Sequence, residues 1–143
     1  MGDERVVALP DSAASAGIAY DLPGVVRFRI SSLAFELVAA AGAANRQVVA
    51  KLVDATGVPV FGVAAPAVQT AGQTVAYFFA PLVPTFGSAA VGFMGGPFVG
   101  HELPGNLTVA VTVVNAQAGD RISNGRLLVC QRLTDPAYDL SGS

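Results

Sequence analysis

From Ala55 to Gly100 the chain contains no Asp, Glu, Lys, Arg or His. All eight basic and all ten acidic side chains lie on either side of this stretch. A small soluble domain normally spreads charge over its whole surface. Such a stretch must therefore be interior or be covered by other protein. It holds too much Gly and Pro to be wholly interior, so it marks a building block made for contact. Composition agrees: hydrophobic residues make up 52% of the chain and charged residues 13%, against a usual charged share of about 25%.

The remaining charge excludes several classes. The net charge is −2, and neither flank of the uncharged stretch is polarised. Binding a nucleic acid needs clustered Lys and Arg against phosphates, and no cluster exists. No apolar run of about 20 residues free of Gly and Pro is present, so no membrane span is expected. The opening MGDERVVALP lacks the apolar run of a signal peptide, and Val6 stands where a myristoylation pattern needs Ser or Thr. The single cysteine, Cys130, cannot close an internal disulfide and is expected as a small core residue. The length of 143 residues suits one domain over residues 1–143, with 135–143 as a flexible tail.

Period-two alternation recurs along the chain. Val6–Leu9 and Gly17–Leu22 read as short strands, with the small-residue loop SAASAG between them. Val25–Ala40 is the longest strand. Val26, Phe28 and Ile30 share one face; Leu33, Phe35 and Leu37 share the next, out of phase at Ser31-Ser32. One extra residue, a β-bulge, keeps both sets on the core side. A helix capped by Ser32 and ended by Gly42 is the rival. The strand is preferred because the segment is short for a helix and fits period two better.

Asn45–Asp54 and Val58–Ala64 read as a hairpin around Ala55-Thr56-Gly57, with Pro59 placing the second arm at an edge. APAVQTAGQT reads as a polar, uncharged loop. Thr74–Ala80 carries Val75, Tyr77 and Phe79 on one face and Phe78 on the other, so both faces are expected to be covered. Pro81–Gly100 has no period and reads as one long apolar loop, a kind that is usually functional or disordered. Asn106–Asn115 alternates cleanly and is expected to pair as a hairpin with Arg121–Leu133, with Asn124-Gly125 as a bulge or bend. The sum is all-β: a single antiparallel β-sandwich, jelly-roll-like, of about eight strands.

Catalysis finds little purchase. The one histidine, His101, reads as a surface loop residue, and no Gly-x-Ser-x-Gly elbow is present. The acids are scattered, without metal-site spacing. Neither phosphate-cradling glycine pattern occurs. No enzyme activity, cofactor or metal is expected.

Three groups of residues resemble a known class. These are Ala44-Asn45-Arg46-Gln47-Val48 leading to Asp54, Gln73-Thr74 before an aromatic strand, and Leu103-Pro104 followed by Asn115-Ala116-Gln117-Ala118-Gly119-Asp120, Ser123-Asn124 and Leu127-Leu128-Val129. In this order they resemble small structural proteins of tailed bacteriophages, capsid decoration or minor virion proteins. The resemblance implies a virion protein, assembled in the bacterial host cytoplasm, that binds the major capsid protein on the shell exterior and stabilises the shell. It also implies a homo-oligomer, with a trimer favoured. Taken as residues alone, Asn45 and Arg46 can bond backbone at a strand entrance, and Gln117, Gly119 and Asp120 can build a tight turn. The interface is expected within 81–100, at Phe86, Phe93, Met94, Phe98 and Val99. A tail, neck or head-fibre component is one alternative. A carbohydrate-binding sandwich is another, disfavoured by the absence of Trp and of acids near Tyr77 or Phe86.

Overall fold

Strands with one apolar face can bury it only against another such face, and this chain solves the problem with two sheets. The computed structural model describes residues 3–24 and 26–133; Val25 and the 135–143 tail lie outside the described residues. The elements are β1 (Asp3–Leu9), β2 (Ser12–Ala13), β3 (Ile18–Asp21), β4 (Val26–Val38), β5 (Gln47–Val53), β6 (Pro59–Ala64), β7 (Thr74–Ala80), β8 (Phe86–Ser88), a 3-10 turn (Ala89–Val91), β9 (Phe93–Pro97), β10 (Thr108–Val114) and β11 (Arg121–Leu133). The larger sheet runs β1-β11-β4-β7-β9-β8, with β2 on β11, and the smaller runs β3-β10-β5-β6. The eight expected strands are all present as a β-sandwich; β2, β8 and β9 are additions.

Residues 31–43 do not form a helix. Along β4, Phe28 and Ile30, then Leu33, Phe35 and Leu37, are buried. Leu128 of β11 pairs with Ser32 and Val129 with Ile30, which leaves Ser31 as the extra residue of a bulge. One residue slips the phase and returns the second apolar set to the core. A second irregularity falls at Asn124-Gly125, between the Ser123–Glu36 and Arg126–Ala34 pairs. The core joins both sheets, with Val48, Ala50, Leu52, Val109 and Val111 of the smaller facing Leu33, Phe35, Tyr77, Phe79 and Leu127 of the larger. Phe35 stacks on Tyr77 at 5.2 Å. Each large side chain buried here contributes about 1.5–3 kcal/mol.

Three expectations are corrected. First, β10 and β11 are not a hairpin: β10 pairs with β3 and β5, while β11 pairs with β1 and β4. Each strand has a strong apolar face, and a sandwich buries two such faces against one another rather than side by side. Residues 116–120 therefore cross between the sheets. Second, Pro81–Gly100 is not one loop. It holds β8, the 3-10 turn and β9, and β9 pairs parallel to β7, so the sheets are not purely antiparallel. A Cβ on Gly95 would stand 1.7 Å from the Phe78 carbonyl oxygen, so only glycine permits this approach. Gly95 and Gly96 have no side chains to display a period, which is why the strand was invisible to pattern. Third, Cys130 is half-buried. It alternates with the buried Leu127 and Val129 faces and points away from the core.

Candidate functional site

The uncharged stretch supplies one edge of each sheet. β6 ends the smaller sheet, and β9 and β8 end the larger. The two ends meet where Phe61 of β6 packs edge-on against Phe98, with ring centroids 5.2 Å apart. Val63 approaches the same region, 4.0 Å from where a Cβ on Gly96 would stand. Of the ten large hydrophobic residues left exposed among the described residues, seven come from this stretch: Val58, Val60, Val68, Phe78, Leu82, Val91 and Phe93. Leu82 is 100% exposed and holds φ at +64°, a region that bulky residues rarely occupy.

A groove of about 330 Å³ runs over the outer face of the larger sheet on this side. Strand register builds it. Ala34 pairs with Phe78 and Glu36 with Ala76; Ala76 then pairs with Phe93 and Phe78 with Gly95. The small Ala34 and Ala76 form a floor between aromatic walls, and the rings of Phe86 and Phe93 sit 6.2 Å apart. Glu36 and Asn124 close one end, with the Asn124 amide donating to Glu36 Oε1 at 2.6 Å. The fold thus brings a carboxylate to the same groove as Tyr77 and Phe86, where the sequence showed none nearby.

The five residues expected at an interface divide. Phe93 is 51% exposed and Phe86 is half-buried, and both line the groove. Met94, Phe98 and Val99 belong to the core: Met94 alternates inward from Phe93 on β9, and Phe98 and Val99 are buried just after that strand. Phe78, Leu82, Val91, Val58 and Val60 were missed as a group. The available signal was Phe78, out of phase with Tyr77 and Phe79.

Beneath the far end of β5 lies a buried polar knot. The Arg46 side chain is fully enclosed and pairs with Asp120 at 2.8 Å. Its guanidinium also donates to the carbonyls of Gly42 at 2.7 Å, Ala44 at 3.0 Å and Ala40 at 3.3 Å. The Asp120 carboxylate accepts further from the backbone N–H groups of Ala40 and Gln117, each at 2.8 Å. Burial pushes the Asp120 carboxyl up, but the bonds from Arg46, Gln117 and Ala40 outweigh it and hold it below the usual range. Gly119, at φ +89°, lets the turn close. Asn45 is exposed, and its carbonyl accepts from Asn115 at 3.2 Å.

Gln69 extends the knot. It bridges to Arg46 through backbone bonds, donates to the carbonyls of Leu37 and Gln73, and accepts from the Tyr77 hydroxyl at 2.9 Å. Burial raises the Tyr77 phenol. APAVQTAGQT is therefore partly interior, through Gln69. This arrangement ties the ends of the two sheets; every polar group in it has a structural partner.

Elsewhere the chemistry is sparse. His101 is exposed. A polar hollow of about 300 Å³ holds Asp21 and Asp54. Asp21 accepts from Thr108 at 2.6 Å; Asp54 accepts from Thr56 Oγ1 at 2.6 Å and from the Val58 N–H at 3.0 Å. Among the described residues no three His, Cys, Asp or Glu converge as a metal site, and no helix is long and apolar enough to cross a membrane.

No protein-family model matches the chain, and no curated protein matches it. Among solved structures it is similar to a chain of the T13 particle of infectious bursal disease virus, at 13% identity and TM-score 0.40 over 90% of this chain and 31% of that one. The T=1 particles derived from the same virus give 12% and 0.40 over 90% and 31%. Its Gt strain gives 11% and 0.39 over 93% and 31%. The chain thus spans about a third of the length of these viral proteins. At such identities and TM-scores the likeness bears on neither partner nor role.

Proposed function

We propose that the chain is a non-enzymatic structural protein of a bacteriophage virion, a decoration or cement protein seated on the outside of the capsid shell. Its partners are further copies of itself and the major capsid protein. One observation carries the reading. The uncharged stretch carries most of the exposed large apolar side chains among the described residues, and Leu82 in it is fully exposed in a strained backbone conformation.

Two further points support it. With β2, β8 and β9 set aside, the sheets run β1-β11-β4-β7 and β3-β10-β5-β6. That order supports the jelly-roll reading, an architecture used by viral capsid and lectin domains, although one fold hosts many functions. The resemblance to phage structural proteins points the same way.

The test uses shells assembled without the chain. Added protein should bind them and raise the temperature at which they open. Phe93→Asp, on the exposed groove wall, should keep the β circular-dichroism signal and lose at least tenfold in shell affinity. Wild-type protein that neither binds shells nor occurs in purified particles would defeat the reading. A tail, neck or head-fibre position would appear as density elsewhere on the particle. The groove favours a second reading, a carbohydrate-binding module, because Glu36 and Asn124 stand beside Phe78, Phe86 and Phe93. Glycan-array binding lost in Phe78→Ala would support that instead.

A further inference from the structure

We infer that the groove on the outer face of the larger sheet is a pocket for one arginine side chain, presented by the shell protein. The guanidinium lies over Ala76, between the carboxylate of Glu36 and the rings of Phe78 and Phe93. The pocket is argued from the groove alone; only the identity of the protein that fills it rests on the shell reading.

Strand pairing sets the dimensions. Ala76 of β7 lies between Glu36 of β4 and Phe93 of β9. Neighbouring strands are about 4.8 Å apart, so Glu36 and Phe93 stand roughly 10 Å apart across an alanine floor. Phe78 rises from the same face two residues along from Ala76. The Phe86 ring covers Gly95, where its Cε1 would stand 2.9 Å from an added Cβ. Phe78 and Phe93 are 41% and 51% exposed. A cation held over Ala76 falls within the ~6 Å of a ring centroid at which cation–π attraction acts. Glu36 is held in place as well. The irregularity of β11 at Asn124-Gly125, with Asn124 at φ +55°, brings the Asn124 amide onto Glu36 Oε1 at 2.6 Å. Bulges commonly re-aim a side chain beside a site.

The chemistry of the lining selects the occupant. Among the described residues Glu36 is the one charged group that lines the groove. Phe35, Tyr77 and Met94 also line it, but they belong to the core. Beyond the Asn124 amide, already engaged with Glu36, no exposed side chain in the lining can donate a hydrogen bond. What the groove offers is acceptors: Glu36 Oε2 and Asn124 Oδ1 are unbonded among the described residues. A wholly apolar occupant would strip water from the carboxylate and leave it unpaired. A sugar hydroxyl both donates and accepts, and the lining returns little to it. A guanidinium only donates. It is also flat, so it can stack on a phenylalanine while pairing with a carboxylate, which a lysine ammonium cannot do as well. Arg126 lies opposite Ala34 on β11 but does not line the groove, and its guanidinium donates to the Gly125 carbonyl at 2.8 Å.

NMR titration of the full chain with the capped peptide Gly-Arg-Gly tests the pocket without shells. The ring signals of Phe78 and Phe93 should shift and saturate. Glu36→Gln, a conservative change at the groove mouth, should keep the fold and weaken binding about tenfold. The same peptide with norleucine in place of arginine should not bind. No saturable shift, equal binding of the norleucine peptide, or displacement of the arginine peptide by maltose would overturn the pocket. Shells then test who fills it. Glu36→Gln should lose shell affinity where wild type binds. If Glu36→Gln binds shells as well as wild type, the inference fails and the shell reading stands. If wild type ignores shells but binds the arginine peptide, the pocket stands and the shell reading fails. An oligomer of wild type alone that Glu36→Gln dissociates would overturn the assignment to the shell, since a second copy would then fill the groove.

Discussion

Replacing Asp120 with alanine removes the acceptor that holds one end of the sandwich together. Four bonds are lost: two from the Arg46 guanidinium, at 2.8 and 3.0 Å, and one each from the Ala40 and Gln117 N–H groups at 2.8 Å. The guanidinium stays buried, solvated only by the carbonyls of Ala40, Gly42 and Ala44. Removing one partner of a buried ion pair costs about 3–5 kcal/mol, a large share of the ~5–15 kcal/mol by which a domain is stable. Urea unfolding at neutral pH should show a loss of that size, with the slope unchanged.

Acid adds a second arm to the same test. The folded state holds the Asp120 carboxyl below its usual value. Its contribution is therefore complete above the unfolded value near ~3.9 and is lost as pH falls through the lower folded value. Asp120→Asn cannot titrate. The gap in stability between wild type and Asp120→Asn should be constant above about pH 5 and shrink below about pH 4. An Asp120→Ala loss under ~1 kcal/mol, within the range of an exposed pair, or a gap that ignores pH, would refute the argument.

Three other outcomes follow from particular contacts. Tyr77→Phe leaves the buried Gln69 Oε1 without its donor and should cost about 1–3 kcal/mol by thermal or chemical unfolding. Gly95→Ala drives a methyl into the Phe78 carbonyl and should cost about 1–3 kcal/mol or more; an unchanged melting temperature would contradict the parallel β7–β9 pairing. Leu82→Asn suits the left-handed backbone better and removes no internal packing, so stability should hold or rise by up to about 1 kcal/mol. A loss instead would mean that Leu82 packs within the isolated chain.

The long strands were legible because burial on one face writes a period of two into the residues. Along β4 even the bulge at Ser31 could be read, since the phase of Phe28 and Ile30 visibly breaks before Leu33. β9 could not be read, since its two glycines carry no phase and its parallel partner is set by space rather than by neighbours in the chain. The hairpin error at β10 and β11 has the same root. Alternation says that a strand has a buried face, and does not say whether its sequence neighbour lies beside it or across the core. Arg46 and Asp120 were both picked out as local backbone partners, at a strand entrance and in a tight turn. Their pairing across 74 residues needed the fold.

By itself, the sequence determined that the chain is all-β and that its middle third avoids charge, because both are properties of residue order and type. Only the tertiary structure decided what that avoidance means. Core burial accounts for Met94, Phe98, Tyr77 and Phe79, while Phe78, Leu82, Val91, Phe93, Val58 and Val60 are left exposed. The difference between these two groups is the direction each side chain takes from its strand. Direction depends on pairing between segments far apart in the chain, which no local pattern records.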